Sequence, residues 1–307
     1  MNTIIPDIDT LKTAVKINAA IPYESVSPYI NDALDIYIEP QVGNVIIDIA
    51  STGEDTMLKD KILRCLGPLT LALATDELGI SFGDSGITVQ NEQGKRSPAN
   101  EAKIAAAKVS LFYRGMQALD RLLDYLERNK LKYPDYADHI SITNQVPCFI
   151  RSAQEYQDIG LVNIDYSTLT YRTMLPTIRQ LQERHVQEML TDDLYNRLLA
   201  TTDQDAKFKI LQEYVIRYLA NKSAELYTSQ TSRQERTGSG TPEYQPILRP
   251  VYQDSTETGN FFAQQADYYS SKINSFLNAN AEDLGVNKPS TAINFNSKEK
   301  KVFTSIS

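Results

Sequence analysis

Few residues in this chain could do chemistry, and the spacing of each candidate points to a structural role. Gly83-Asp84-Ser85-Gly86 presents a serine in a setting that could suit a nucleophile. Such a serine needs a histidine base oriented by a carboxylate, and both histidines, His139 and His185, lie far away in sequence. Glycine and aspartate are also what a tight turn requires, and a turn is the reading adopted. His185 and Glu188 stand one helical turn apart and could supply two metal ligands, but no third ligand of similar quality is nearby. A solvated or interface histidine fits better. His139 follows Tyr133-Pro134 and is expected in a loop. Asp76-Glu77, Asp120 with Asp124, and Asp192-Asp193 are the pairs that acid–base catalysis would call for. Asp120 and Asp124, beside Arg121 and Arg128, read as a solvated helix face. Asp192-Asp193 after Thr191 reads as a helix start, where carboxylates meet the positive end of the dipole. No GxxxxGK[ST] or GxGxxG phosphate loop occurs. Lys298, Lys300 and Lys301 form a small terminal basic cluster suited to an acidic neighbour or to solvent.

Composition agrees. The 307 residues carry a net charge of −8 without any dense basic block, which disfavours nonspecific binding to duplex DNA. Two histidines and two cysteines, Cys65 and Cys148, leave little for zinc, haem or iron–sulfur chemistry, so no metal and no cofactor is expected. Tryptophan is absent and tyrosine occurs 18 times. The N-terminal stretch carries Asp7 and Asp9 and does not read as a secretory signal. The most apolar run, Leu66 to Ala74, is far shorter than the roughly 20 residues of a membrane span. A non-enzymatic interaction protein, made in a reducing compartment and outside any membrane, is the expectation.

The elements that would position these groups are mostly helical. Phe112, Met116, Leu119, Leu123 and Leu126 recur in steps of four and three, one stripe of a long helix that Ser97-Pro98 could start and Asn129 and Pro134 end. Another long helix is expected over Glu54 to Leu78, kinked or broken at Gly67-Pro68. Two shorter ones precede it, near Asp9 to Ala20 and Ser27 to Gln41. Residues 80–91, ISFGDSGITVQN, alternate apolar and polar residues around two glycines and predict a β-hairpin between the long helices.

The second half repeats this order. Tyr166-Ser-Thr-Leu-Thr matches Tyr23-Glu-Ser-Val-Ser at a spacing of 143 residues (23 to 166). Leu58, Cys65, Leu66 and Leu69 match Phe208, Val215, Ile216 and Leu219 at 150 (58 to 208). The stripe from Phe112 to Leu126 meets Phe262, Ala266, Tyr269, Ile273 and Phe276 at the same spacing. Several helices in order at nearly one spacing indicate duplication. Where the second hairpin should stand, residues 228–260 contain 21 Ser, Thr, Gly, Pro, Asn or Gln among 33, too polar to order themselves, and predict an extended arm. Residues 281–307 predict an extended tail.

The expected architecture is therefore mainly α: two tandem helical-bundle modules, 1–140 with the inserted hairpin and 150–280 with the arm, followed by the tail. The order short helices, long helix, hairpin ISFGDSGITVQN, long helix, with the segment from Ser97-Pro98 to Asn129, resembles the head–tail connector (adaptor) proteins of tailed phages, including ring proteins of crAss-like phages of Bacteroidota. That resemblance implies modules of connector type in a virion protein made in the host cytoplasm. It implies a homo-oligomeric, twelve-fold ring docked to the portal protein and to other connector or tail proteins, with DNA passing through its channel unbound by sequence. Phe82, Ile87 and Val89 in the hairpin, Tyr244 and Ile247 in the arm, and Ile293, Phe295 and Phe303 in the tail are the expected contact residues. They are apolar groups in segments too polar to have a core of their own. The rival expectation is a bacterial helical scaffold, or a small-ligand-binding protein or enzyme with a pocket between the modules.

Overall fold

The computed structural model describes residues 4–17, 21–75, 77, 80–83, 86–89, 101–143, 147–200, 205–237 and 255–286. The protein is mainly helical. Helix α1 (Ile8–Ala14) is started by Asp7, whose carboxylate accepts the Thr10 N–H at 2.7 Å. It is shorter than the expected Asp9 to Ala20. Helix α2 (Ser27–Ala33) takes Pro28 in its first turn, widens into a π-helical segment (Leu34–Ile38), and closes as α3 (Glu39–Val42). Gly43, at φ +83°, turns the chain into α4 (Asn44–Thr52), an element the periodicity did not predict. Gly43 also lies under His139, whose ring would stand 3.1 Å from any Cβ added there.

Helix α5 (Thr56–Ala74) is continuous through Gly67-Pro68, so the chain does not break where a kink or break was expected. Leu66 to Thr70 are all buried, and this packing offsets the hydrogen bond that proline cannot donate. Strands β1 (Ile80–Gly83) and β2 (Gly86–Val89) pair antiparallel, with Phe82 opposite Ile87 and Ile80 opposite Val89. Helix α6 (Glu101–Arg128) returns along α5. The turn after it leads into α7 (Pro134–Thr143), so His139 stands on a helix rather than in the expected loop. Pro134 supplies a preset φ for the first turn, and the Ala137 N–H bonds the Tyr133 carbonyl to begin the ladder.

From residue 147 the element order recurs. Helix α8 (Ala153–Asp158) is capped by Ser152, α9 (Thr168–Leu181) is capped by Ser167, and a second π segment (Gln182–Val186) passes into α10 (Gln187–Met189). Helix α11 (Asp192–Ala200) follows, then α12 (Ala206–Thr237) and α13 (Ser255–Ala279), which pack along each other as α5 and α6 do. The segment expected as a polar arm is thus helical at both its ends, to Thr237 and from Ser255. Gln, Arg and Glu between 230 and 236 are good helix formers and simply extend a helix whose packing is secured upstream. Within the expected tail, Ala281 and Leu284 are buried and only residues beyond 286 lie outside the described part.

The buried residues form two apolar clusters. One gathers residues between Ile4 and Tyr136 together with Leu169, and the other residues between Phe149 and Leu284. Positions 148 apart are buried in both: Val26 and Met174, Ile30 and Ile178, Ile38 and Val186, Val42 and Leu190, Ile46 and Leu194. Leu58, Cys65, Leu66 and Leu69 are buried, and so are Phe208, Val215, Ile216 and Leu219. One hydrogen bond recurs with them. The Tyr23 hydroxyl donates to the Ile5 carbonyl at 2.6 Å, and the Tyr171 hydroxyl to the Ile150 carbonyl at 2.8 Å. Tyr166, matched to Tyr23 by sequence, makes no such bond among the described contacts, whereas Tyr171 does. Tyr166 is exposed at φ +55° and donates to Asp158.

Candidate functional site

The most elaborate side-chain chemistry among the described residues lies where the two apolar clusters meet. Asp120, expected on a solvated face, points from α6 into the start of α9 and accepts the Leu169 N–H at 3.0 Å. Burial pushes its carboxyl above the ordinary range, against the pull of hydrogen bonds from Leu169, Ser167 and Thr168. Asp120 thus supplements Ser167, whose hydroxyl accepts the Thr170 N–H at 3.0 Å, in satisfying the open N–H groups of α9. Leu169 itself is buried in the first cluster although it belongs to the second half of the chain.

One turn further along α9, Arg172 holds the junction. Its guanidinium donates to the Gln41 carbonyl at 2.9 Å, to Glu127 at 3.1 Å and to the Tyr136 hydroxyl at 2.5 Å. Tyr136 donates in turn to Glu127 at 2.8 Å. The Arg172 and Glu127 side chains are 17% and 28% exposed, so the pair is largely removed from solvent. Burial pushes the Glu127 carboxyl up, but Lys130, Tyr136 and Arg172 outweigh it and hold the group below its usual value. The Tyr136 phenol is raised, mainly by burial. Sequence reasoning missed this network because Arg172, Glu127 and Gln41 are far apart in the chain and sit in no motif.

Beside the junction opens a cleft of about 690 Å³, lined by Asp124, Glu127 and Arg128 from α6 and by Arg151, Tyr166 and Arg172 from the second half. Its charged groups largely satisfy one another or the backbone: Arg128 pairs with Asp124 at 2.9 Å, and Arg151 donates to the Leu199 carbonyl at 3.0 Å.

The sequence-predicted groups fall elsewhere. His185 stands on the second π segment with Nδ1 2.6 Å from the Tyr218 hydroxyl, while Glu188 is exposed. Burial pushes the Tyr218 phenol up to about 12. His139 Nε2 is 3.2 Å from the Pro40 carbonyl. Asp192 and Asp193 occupy the first turn of α11, and Thr191 accepts the Leu194 N–H at 3.4 Å. Glu77 accepts the Tyr29 hydroxyl. Gly83 ends β1 and Gly86 begins β2, and Asp84 and Ser85 lie outside the described residues. Phe82, Ile87 and Val89 take their strand positions. Tyr244, Ile247, Ile293, Phe295 and Phe303 lie outside the described residues. Among the described residues, no group of three or more His, Cys, Asp or Glu side chains could hold a metal ion, and no helix is long and apolar enough to cross a membrane.

A family of unknown function, DUF6712, matches residues 25–145. The match runs from just before α2 into the residues after α7, within the first half of the chain. No curated protein and no solved structure matches the chain.

Proposed function

We propose that the protein is a structural, non-enzymatic virion component: a head–tail connector whose copies form a ring, dock to the portal and surround the channel through which DNA passes. The observation that carries the reading is the recurrence of one element order in both halves, including a π segment at the same place and the same tyrosine–carbonyl bond. We read the halves as tandem modules of connector type, the first carrying the hairpin. Residues 102–107 of the amphipathic helix α6 are exposed, Ile104 among them at 39%. That end of the helix pair, with the hairpin beyond α5, suits insertion between neighbouring chains. The portal, other connector or tail proteins and further copies of the chain are the proposed partners, with the virion as its place.

Negative-stain imaging of the purified protein, alone and mixed with a tailed-phage portal protein, tests the reading. Rings or a portal-bound complex are expected. Failure to form rings and failure to bind the portal at micromolar concentration would overturn it.

The cleft between the halves favours a second reading, a small-ligand binder. Its polar lining has Arg128, Arg151 and Arg172 facing Asp124 and Glu127, which suits a ligand carrying both charges. A thermal-shift screen of charged metabolites against the wild type and Arg151→Ala tests it: a shift lost in the variant would support this reading.

A further inference from the structure

We propose that a second cleft, formed within the first half by α1, α5 and α6, binds a compact polyanion of the chemical class of a di- or triphosphate. The cleft measures about 490 Å³ and is lined by Asp60, Leu63 and Arg64 of α5, by Arg114 and Arg121 of α6, and by the end of α1. Three guanidinium groups meet one carboxylate there, a local excess of positive charge in a chain whose net charge is −8. Such binding requires neither a ring nor a portal.

Two of the arginines are already held in place. Arg114 crosses from α6 to donate to the Ala14 carbonyl at the end of α1, and Asp60 holds the Nε of Arg64 at 2.8 Å. A guanidinium carries five N–H donors in a fixed fork. Each of these two is engaged through one nitrogen, so its other donors stay open to the cleft that it lines. Arg121 is exposed and makes no hydrogen bond or ion pair among the described residues. The acids nearest to it along α6 are occupied elsewhere, Asp120 by the Leu169 N–H and Asp124 by Arg128. Arg114 and Arg121 stand two helical turns apart on one face, about 10 Å along the axis. Exposed Gln117, between them, adds a neutral donor. Groups fixed before a ligand arrives lose little freedom on binding it, and guanidinium forks match phosphate oxygens.

The packing of the helix pair does not call for these arginines. Met116, Leu119 and Leu123 match Ala266, Tyr269 and Ile273 at a spacing of 150 (116 to 266), and all six are buried. At that spacing Arg64, Arg114 and Arg121 meet Tyr214, Gln264 and Ser271. The second half thus builds the same pair of helices with no guanidinium at any of the three positions. The form of the cleft narrows the ligand. Its arginines converge from two walls and its lining holds no aromatic ring on which a base could stack, which disfavours an extended nucleic-acid strand. Its volume falls within the range of about 300–1,000 Å³ that small-molecule sites occupy. A carboxylate brings one charge into that space, whereas a di- or triphosphate brings several.

Isothermal titration calorimetry of the full-length protein with inorganic tripolyphosphate, in magnesium-free buffer of low ionic strength, tests the assignment. One site per chain is expected, with a dissociation constant below about 1 mM. Arg121→Gln removes a side chain that holds no other element, and should weaken binding about tenfold at unchanged circular dichroism. Arg184→Gln, an exposed arginine of the second half, should leave it unchanged. ATP as a second titrant distinguishes the sources of the phosphates, and both results support the site: equal affinity marks recognition of the phosphate chain alone, tighter binding a nucleotide. No binding at millimolar tripolyphosphate, or binding that Arg121→Gln leaves unchanged, overturns the assignment. Equal weakening by Arg184→Gln, the mark of diffuse charge attraction, also overturns it. So does tighter binding of a single-stranded oligonucleotide or an oligoglutamate peptide through Arg121, which would make the cleft a docking surface for a macromolecule.

Discussion

At the scale of single residues, the side chains that matter are those placed between elements. Asp55 caps α5 by accepting the Leu58 N–H at 3.0 Å, and the same carboxylate takes Lys132 at 2.6 Å and Tyr133 at 2.7 Å from the turn after α6. Burial works against its charge, but these three donors prevail and hold its pKa at about 2. A carboxyl depressed in the folded state stabilises above its unfolded pKa of about 3.9 and loses that contribution as pH falls through its folded value. Wild-type stability should therefore decline between about pH 4 and pH 2. In Asp55→Asn that part of the decline should be missing, as read from urea midpoints at stepped pH. At neutral pH, Asp55→Ala should cost about 1–2 kcal/mol through the lost cap. Cys65 is fully buried and its thiol is pushed up by burial, so a thiol reagent should label it only on unfolding, whereas half-buried Cys148 should react first.

At the scale of elements, the paired long helices set the architecture. Helix α6 approaches α5 closely at Gly115, where an added Cβ would stand 2.6 Å from the Leu69 side chain. Leu69 is completely buried and cannot withdraw, so Gly115→Ala should destabilise by about 1–3 kcal/mol in a urea titration despite alanine's better helix propensity. The π segments mark where α2 and α9 each take an extra residue per turn before the chain turns back. They arise from packing, since Ile38 and Val186 at their ends are both completely buried.

At the scale of the whole molecule, two apolar cores are joined by a junction whose polar contacts centre on two residues of one helix, Leu169 and Arg172. Truncating Arg172 leaves Glu127 partly desolvated without its main cross-junction partner, and about 1–3 kcal/mol of coupling should be lost. In Arg172→Ala, urea unfolding followed by Cys65 labelling, which reports the first core, and by circular dichroism, which reports both, should no longer coincide. Wild-type transitions that already diverge by as much would show that the junction contributes nothing. A double-mutant cycle with Glu127→Gln isolates the pair.

The sequence by itself determined the helical class and the stripes that line both cores. Residues such as Met116, Leu119 and Leu123 recur at the helical period, and burial follows period whatever the partner. It also marked apolar positions 150 residues apart, such as Leu58 with Phe208 and Leu69 with Leu219, that are buried in both halves, because apolar positions of a long helix keep their phase. Tertiary structure alone decided what the polar groups do. Asp120 reads as surface by its neighbours and becomes a cap only because α9 is brought to it from the other half. Tyr171 rather than Tyr166 makes a carbonyl hydrogen bond like that of Tyr23, a pairing that local sequence similarity does not show. Helix α7 was hidden behind Pro134, which begins it, and Pro68 gave no warning that its neighbours' burial would carry α5 through. A periodic apolar face is written in local order, whereas a polar contact is defined by the partner that folding delivers.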